Sequence, residues 1–138
     1  MRKTVAASTT KARPKRVMVV EDDCLSGLVI AEQLAELGYI VIGPATTASE
    51  ARHLANVVSM DAAFLDLNLH GICAGQIADI LVRRQIPFLF ITGYDRSPRG
   101  YENIAVLTKP YQTADLRRAI EALVMQQAHF PSYNHGAA

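Results

Sequence analysis

Cysteine is scarce, tryptophan is absent, and no apolar run approaches the ~20 residues needed to cross a bilayer. Cys24 and Cys73 form neither a C-x-x-C motif nor a metal-ligand spacing. A disulfide framework or thiolate metal site is therefore not expected, and reduced thiols in loops are. The first sixteen residues lack the apolar core of a secretory signal, which makes the cytoplasm the expected compartment. No internal repeat or low-complexity tract divides the chain, and 138 residues are enough for one domain around a single core.

Acids are missing from one end. Arg2, Lys3, Lys11, Arg13, Lys15 and Arg16 stand in the first sixteen residues without a single Asp or Glu, while the remainder is net negative. This Ser/Thr/Ala-rich basic stretch, residues 1–15, is expected to be a disordered arm. Residues 16–128 are expected to form the folded domain, with 129–138 as a tail.

Apolar runs and helical stripes alternate along the folded part. Arg16–Glu21 reads as a buried strand ending in acids, and Asp22 or Asp23 caps a helix with Leu25, Leu28, Leu34 and Leu37 on one face. Tyr39–Ile42 is a second strand, closed by Gly43-Pro44. Thr47-Ala-Ser-Glu50 is a capping box for a helix carrying Ala51, Leu54, Ala55 and Val58. Ala62–Asp66 is the third strand, Gly75–Arg84 the third helix, Pro87–Ile91 the fourth strand and Ile104–Leu107 the fifth. A last helix opens near Thr113 and Asp115. Strands apolar on both faces, separated by amphipathic helices, predict an α/β, flavodoxin-like, doubly wound parallel sheet in the order 2-1-3-4-5. Between strands four and five, Ser97-Pro98 and Gly100 leave room for only a short or disordered fourth helix.

In such a sheet, chemistry collects at the carboxyl ends of the strands. There stand Glu21, Asp22 and Asp23 after the first strand, Asp66 after the third, Thr92 after the fourth and Lys109 after the fifth. Carboxylates that converge repel one another, and a hard cation relieves that conflict. Oxygen ligands without Cys or His suit Mg²⁺. A hydroxyl and an amine converging beside Asp66 suit an anion, so the set describes phosphoryl transfer, with Asp66 as the oxygen nucleophile.

The motifs Val19-Val-Glu-Asp-Asp23, Leu65-Asp-Leu-Asn-Leu-His-Gly71, Thr92-Gly93 and Lys109-Pro110 together resemble the CheY-like receiver domain of two-component response regulators. The resemblance covers about residues 15–128. It implies that Asp66 accepts a phosphoryl group from a sensor histidine kinase. It further implies that Asp22, Asp66 and the Asn68 carbonyl hold Mg²⁺, with Glu21 acting through a water and Asp23 outside the pair. Thr92 and Lys109 would hold phosphoryl oxygens, Gly93 would leave room beside them, and Lys109-Pro110 would be cis.

Two positions depart from the family pattern. His70 replaces the usual proline, and Val106 replaces the aromatic that serves most receivers as a switch, leaving Tyr94, Tyr101 and Tyr111 as the aromatics of a possible switch surface. The string Pro87-Phe-Leu-Phe-Ile-Thr-Gly-Tyr94 is similar to the stand-alone FATGUY-type receivers of alphaproteobacteria, which pair with kinases of the HWE or related type. On this reading the chain is a non-enzymatic single-domain response regulator without a DNA-binding domain. It would signal by contact with an unknown downstream protein or act as a phosphate sink. The alternatives are a Mg²⁺-dependent aspartate-nucleophile phosphatase and a degenerate receiver that works without phosphorylation.

Overall fold

The computed structural model describes residues 13–67, 73–93 and 97–126. Residues 1–12 of the expected arm and all of the expected tail, and with them Asn68, His70 and Tyr94, lie outside the described residues. Nine elements follow one another: β1 (Arg16–Val20), α1 (Cys24–Glu36), β2 (Ile40–Ala45), α2 (Ala48–Val57), β3 (Ala62–Asp66), α3 (Ala74–Arg83), β4 (Phe88–Thr92), β5 (Val106–Thr108) and α4 (Thr113–Gln126). The strands form one sheet in the order β2-β1-β3-β4-β5, and every neighbouring pair is parallel.

Each strand feeds two cores because successive side chains point to opposite faces. Met18, Val20, Ala63, Leu65, Phe88 and Phe90 face α2 and α3. Val17, Val19, Phe64, Leu89, Ile91 and Leu107 face α1 and α4. This double burial explains why the central strands read as continuous apolar runs rather than as alternating ones.

Three local expectations are corrected. The second strand does not stop at Ile42; it runs through Gly43-Pro44 to Ala45. It can do so because β2 is an edge strand, where proline costs no ladder bond, and because a bulge between Ile42 and Ala45 absorbs an extra residue. Leu25 and Leu28 are not on the inner stripe of α1, being 71% and 56% exposed; the buried face is Gly27, Ile30 and Leu34. Cys24 and Cys73 are exposed thiols, but neither sits in a plain loop: Cys24 begins α1 and Cys73 is the N-cap of α3.

Among the described residues, the β4–β5 connection contains no helix. Residues 97–105 form turns, with the Tyr101 N–H donating to Pro98 O and the Ile104 N–H to Tyr101 O. Tyr101 plugs the space beside α3. Its ring meets Phe88 and Phe90 edge-on at centroid distances of 6.0 and 6.2 Å, and its hydroxyl bonds Asp79 of α3. Val106 on β5 is left exposed.

Candidate functional site

The acids reach the sheet rim for reasons visible in the backbone. β1 ends at Val20, and Asp23 then caps α1 by accepting from the Leu25 N–H at 3.2 Å and the Ser26 hydroxyl at 2.7 Å. Asp23 is thereby committed to the helix, and the two residues before it are left at the carboxyl end of the sheet. Glu21 turns inward and is 2% exposed, while Asp22 is partly buried. Asp66, the last residue of β3, is 1% exposed.

Lys109 reaches this pair from the far side. Its N–H donates to Thr92 O at 2.8 Å, which continues the β4–β5 pairing one step past Thr108. Its ammonium then lies 2.8 Å from Asp66 Oδ2 and 3.8 Å from Glu21 Oε1. The Lys109–Pro110 bond is cis, as the resemblance implies. Thr92 ends β4 and is buried at the same rim, with Gly93 exposed just beyond it. Of the tyrosines, Tyr111 comes near the acids. Burial raises its phenol above the ordinary value, and the charges of Asp66 and Glu21 add to that effect.

The electrostatics are those of a conflict only partly relieved. Burial, followed by a hydrogen bond to Asp66, pushes the Glu21 carboxyl up to about 8, while the Asp23 N–H donating to Oε2 at 2.9 Å and the Lys109 charge pull it back. Glu21 Oε1 is buried and accepts no hydrogen bond. A buried, unsatisfied carboxylate oxygen facing a second carboxylate fits a hard divalent cation. Among the described residues no three His, Cys, Asp or Glu side chains close a metal cage by themselves. Mg²⁺ commonly keeps several waters and takes one or two carboxylates. Asp22 and Asp66 are the residues that could hold it.

Two acids, a hydroxyl and an amine thus stand at the carboxyl ends of β1, β3, β4 and β5, and the fold that places them there is found in known proteins. A receiver domain (CheY-like) from Methanospirillum hungatei matches with a TM-score of 0.73 at 23% identity, covering 84% of this chain and 98% of that one. The chain carries the CheY-like receiver fold. A second receiver structure of this fold, the Thermotoga maritima regulator TrrA in complex with Mg²⁺ and BeF, matches with a TM-score of 0.71 at 23% identity over 79% of this chain and 98% of that one.

In sequence, this chain is 32% identical over 121 residues to the transcriptional regulatory protein PdtaR of Mycobacterium tuberculosis, covering 82% of this chain and 58% of the relative. It is 30% identical over 119 residues to the phyllosphere-induced regulator PhyR of Methylorubrum extorquens, covering 81% of this chain and 45% of the relative. The chain thus spans about half the length of the curated relatives it matches. No family model matches the sequence.

The structure brings Glu21, Asp66, Thr92 and Lys109 to one rim. Sequence reasoning missed the packing beneath Glu21. Gly27 of α1 is buried against Pro44 of the β2 bulge. The only sequence signal was a glycine in mid-helix, where it costs roughly 0.5–1 kcal/mol relative to alanine.

Proposed function

We propose that this receiver domain is the phosphoacceptor of a two-component phosphorelay, with Asp66 taking a phosphoryl group from the phosphohistidine of a sensor kinase. The observation that carries this reading is the buried Asp66 carboxylate held by the Lys109 ammonium, 2.8 Å from Oδ2, beside the half-relieved charge of Glu21. An Asp66 carboxylate oxygen attacks phosphorus, the P–N bond to the donor imidazole breaks, and the electron pair leaves with the ring, which takes a proton. The product is an acyl phosphate on Asp66.

Lys109 holds one oxygen of the transferred group and compensates its charge as it arrives. Thr92 donates its hydroxyl to another, and Gly93 keeps the approach open. Glu21 would act through a water, and Asp22, Asp66 and the Asn68 carbonyl would hold Mg²⁺. When bound, Mg²⁺ supplies the charge neutralisation that lets an anionic phosphoryl group approach carboxylates.

The finer assignment follows from the Phe-Leu-Phe-Ile-Thr-Gly string and from the helix-free β4–β5 turns among the described residues. On it, the chain works as a FATGUY-type regulator with a kinase of the HWE or related type. Its output is a contact with a downstream protein or the draining of phosphoryl groups. Tyr94, Tyr101 and Tyr111 take the place of the missing aromatic at Val106.

Acetyl phosphate with Mg²⁺ is expected to add one phosphoryl mass to the wild type and none to Asp66→Asn, by intact mass spectrometry. An equal gain in Asp66→Asn refutes the assignment. Steady turnover of small phosphate esters would instead select the phosphatase reading.

A further inference from the structure

Besides its hydrogen bond with Asp66 and the Lys109 ammonium 3.8 Å from Oε1, Glu21 has few polar partners. Oε2 accepts one backbone N–H, from Asp23, and Oε1 accepts none. The side chain is nevertheless fully enclosed. What encloses its stem is the approach of α1 to the β2 bulge. A methyl group at Gly27 would lie 3.0 and 3.2 Å from Pro44 Cβ and Cγ and 3.4 Å from Glu21 Cγ. No side chain fits between the helix and the proline ring without moving one of them.

The bulge is itself fixed at both ends. Gly43 has a φ of +96°, and a Cβ there would meet Ala45 N at 2.6 Å and Val19 O at 2.9 Å. Ala45 O accepts the Glu21 N–H at 2.9 Å. The extra residue between the Met18–Ile42 and Val20–Ala45 pairings thus carries Pro44 under the first turns of α1 while anchoring the Glu21 backbone. Bulges next to functional sites commonly re-aim a side chain in this manner.

We infer that Gly27, Gly43 and Pro44 are positioning residues for the acid site: their mutual packing sets the depth and direction of the Glu21 carboxyl and, through it, the affinity of the rim for Mg²⁺. The inference rests on the reading of Glu21 as part of the cation site. It predicts that Gly27→Ala, a change that favours helix in most contexts, weakens Mg²⁺ binding by about fivefold or more, the scale on which partners outside the ligand sphere act.

The test is Mg²⁺ titration of the full chain by calorimetry, with urea unfolding in EDTA as the stability readout. Leu34→Val serves as control: Leu34 is buried on the same helix, two turns away, and its trimming lowers stability without touching Glu21. Gly27→Ala is expected to lose Mg²⁺ affinity, Leu34→Val to keep it within twofold, and Gly27→Ala with Pro44→Gly to recover it. In the metal-free Gly27→Ala protein, the Asp23 amide resonance should shift, because its acceptor moves. If Gly27→Ala does not fold, Pro44→Ala, which removes the ring carbon packed at that position, carries the same expectation. An unchanged affinity in folded Gly27→Ala, or an equal loss in Leu34→Val, overturns the inference alone. A wild type that binds no Mg²⁺ overturns the reading of the site on which it rests.

Discussion

Lys109→Met and Asp66→Asn should change stability in opposite directions, although each removes one partner of the same ion pair. Asp66 and Glu21 are 1% and 2% exposed, and Lys109 Nζ stands 2.8 and 3.8 Å from their oxygens. At an effective dielectric constant of about 20, those separations correspond to gross attractions of roughly 6 and roughly 4 kcal/mol. Glu21, pushed up to about 8, is mostly protonated near neutrality, so the second attraction is realised only in part. Desolvation consumes most of the first, and the Lys109 side chain is 31% exposed to screening water.

Lys109→Met is therefore expected to cost about 1–3 kcal/mol, because it strands a buried carboxylate. Asp66→Asn removes the hydrogen bond and the charge that help keep Glu21 protonated, so Glu21 can ionise, accept from the new amide and pair with Lys109. A gain of about 0.5–1.5 kcal/mol is expected. The assay is urea unfolding by circular dichroism in EDTA at neutral pH, for wild type, both single variants and the double variant. The cost of Lys109→Met should shrink by about 1 kcal/mol or more in the Asp66→Asn background. Two destabilising single variants with additive effects would refute the electrostatic reasoning.

Glu21 also sets a pH dependence. Its folded value of about 8 lies above the ordinary 4.5, so its contribution is complete below the ordinary value and is lost as pH rises through the folded one. Metal-free stability should fall across that window by up to about 1.4 kcal/mol per pH unit, and Glu21→Gln should flatten the slope in a pH series of urea melts. Asp22→Ala should weaken Mg²⁺ binding by on the order of tenfold or more while barely moving stability. Asp23→Ala should do the reverse, losing about 1 kcal/mol of helix capping with little change in a metal titration. Tyr101→Ala, which removes two edge-on ring contacts, should cost about 2–4 kcal/mol and speed amide exchange at Tyr101 and Ile104, whereas Tyr101→Phe should keep the exchange slow.

The sheet was legible because β1, β3 and β4 are apolar on both faces, a pattern that only a covered parallel sheet requires. The rim was legible because Glu21, Asp66 and Thr92 each close such a run, and Lys109 follows the short apolar run of β5. Where sequence reasoning failed, contact distance rather than hydrophobicity decided. Leu25 and Leu28 keep helical spacing with each other but lie nine and six residues before Leu34, on other faces of the helix; the face that keeps the period of Leu34 carries Ile30 and Gly27, and the missing side chain of Gly27 lets α1 close on Pro44. Gly43-Pro44 reads as a strand terminator and is one in most settings; here an edge position and a bulge keep the strand going. Tyr101 could be named as an aromatic of interest, but its two Phe partners and Asp79 lie in separate segments, and nothing local brings them together.

The short bond from the Lys109 N–H to Thr92 O ties the two donors proposed to hold the phosphoryl group together through the backbone. Mechanically they are one part, carried on adjacent strand ends, and the intervening chain only has to leave and return. That connection is therefore free to shorten, lengthen or acquire a new binding surface over evolutionary time without detuning the spacing of hydroxyl and amine. An engineer moving this site to another scaffold would need to graft the paired strand ends, β4 and β5, as a unit.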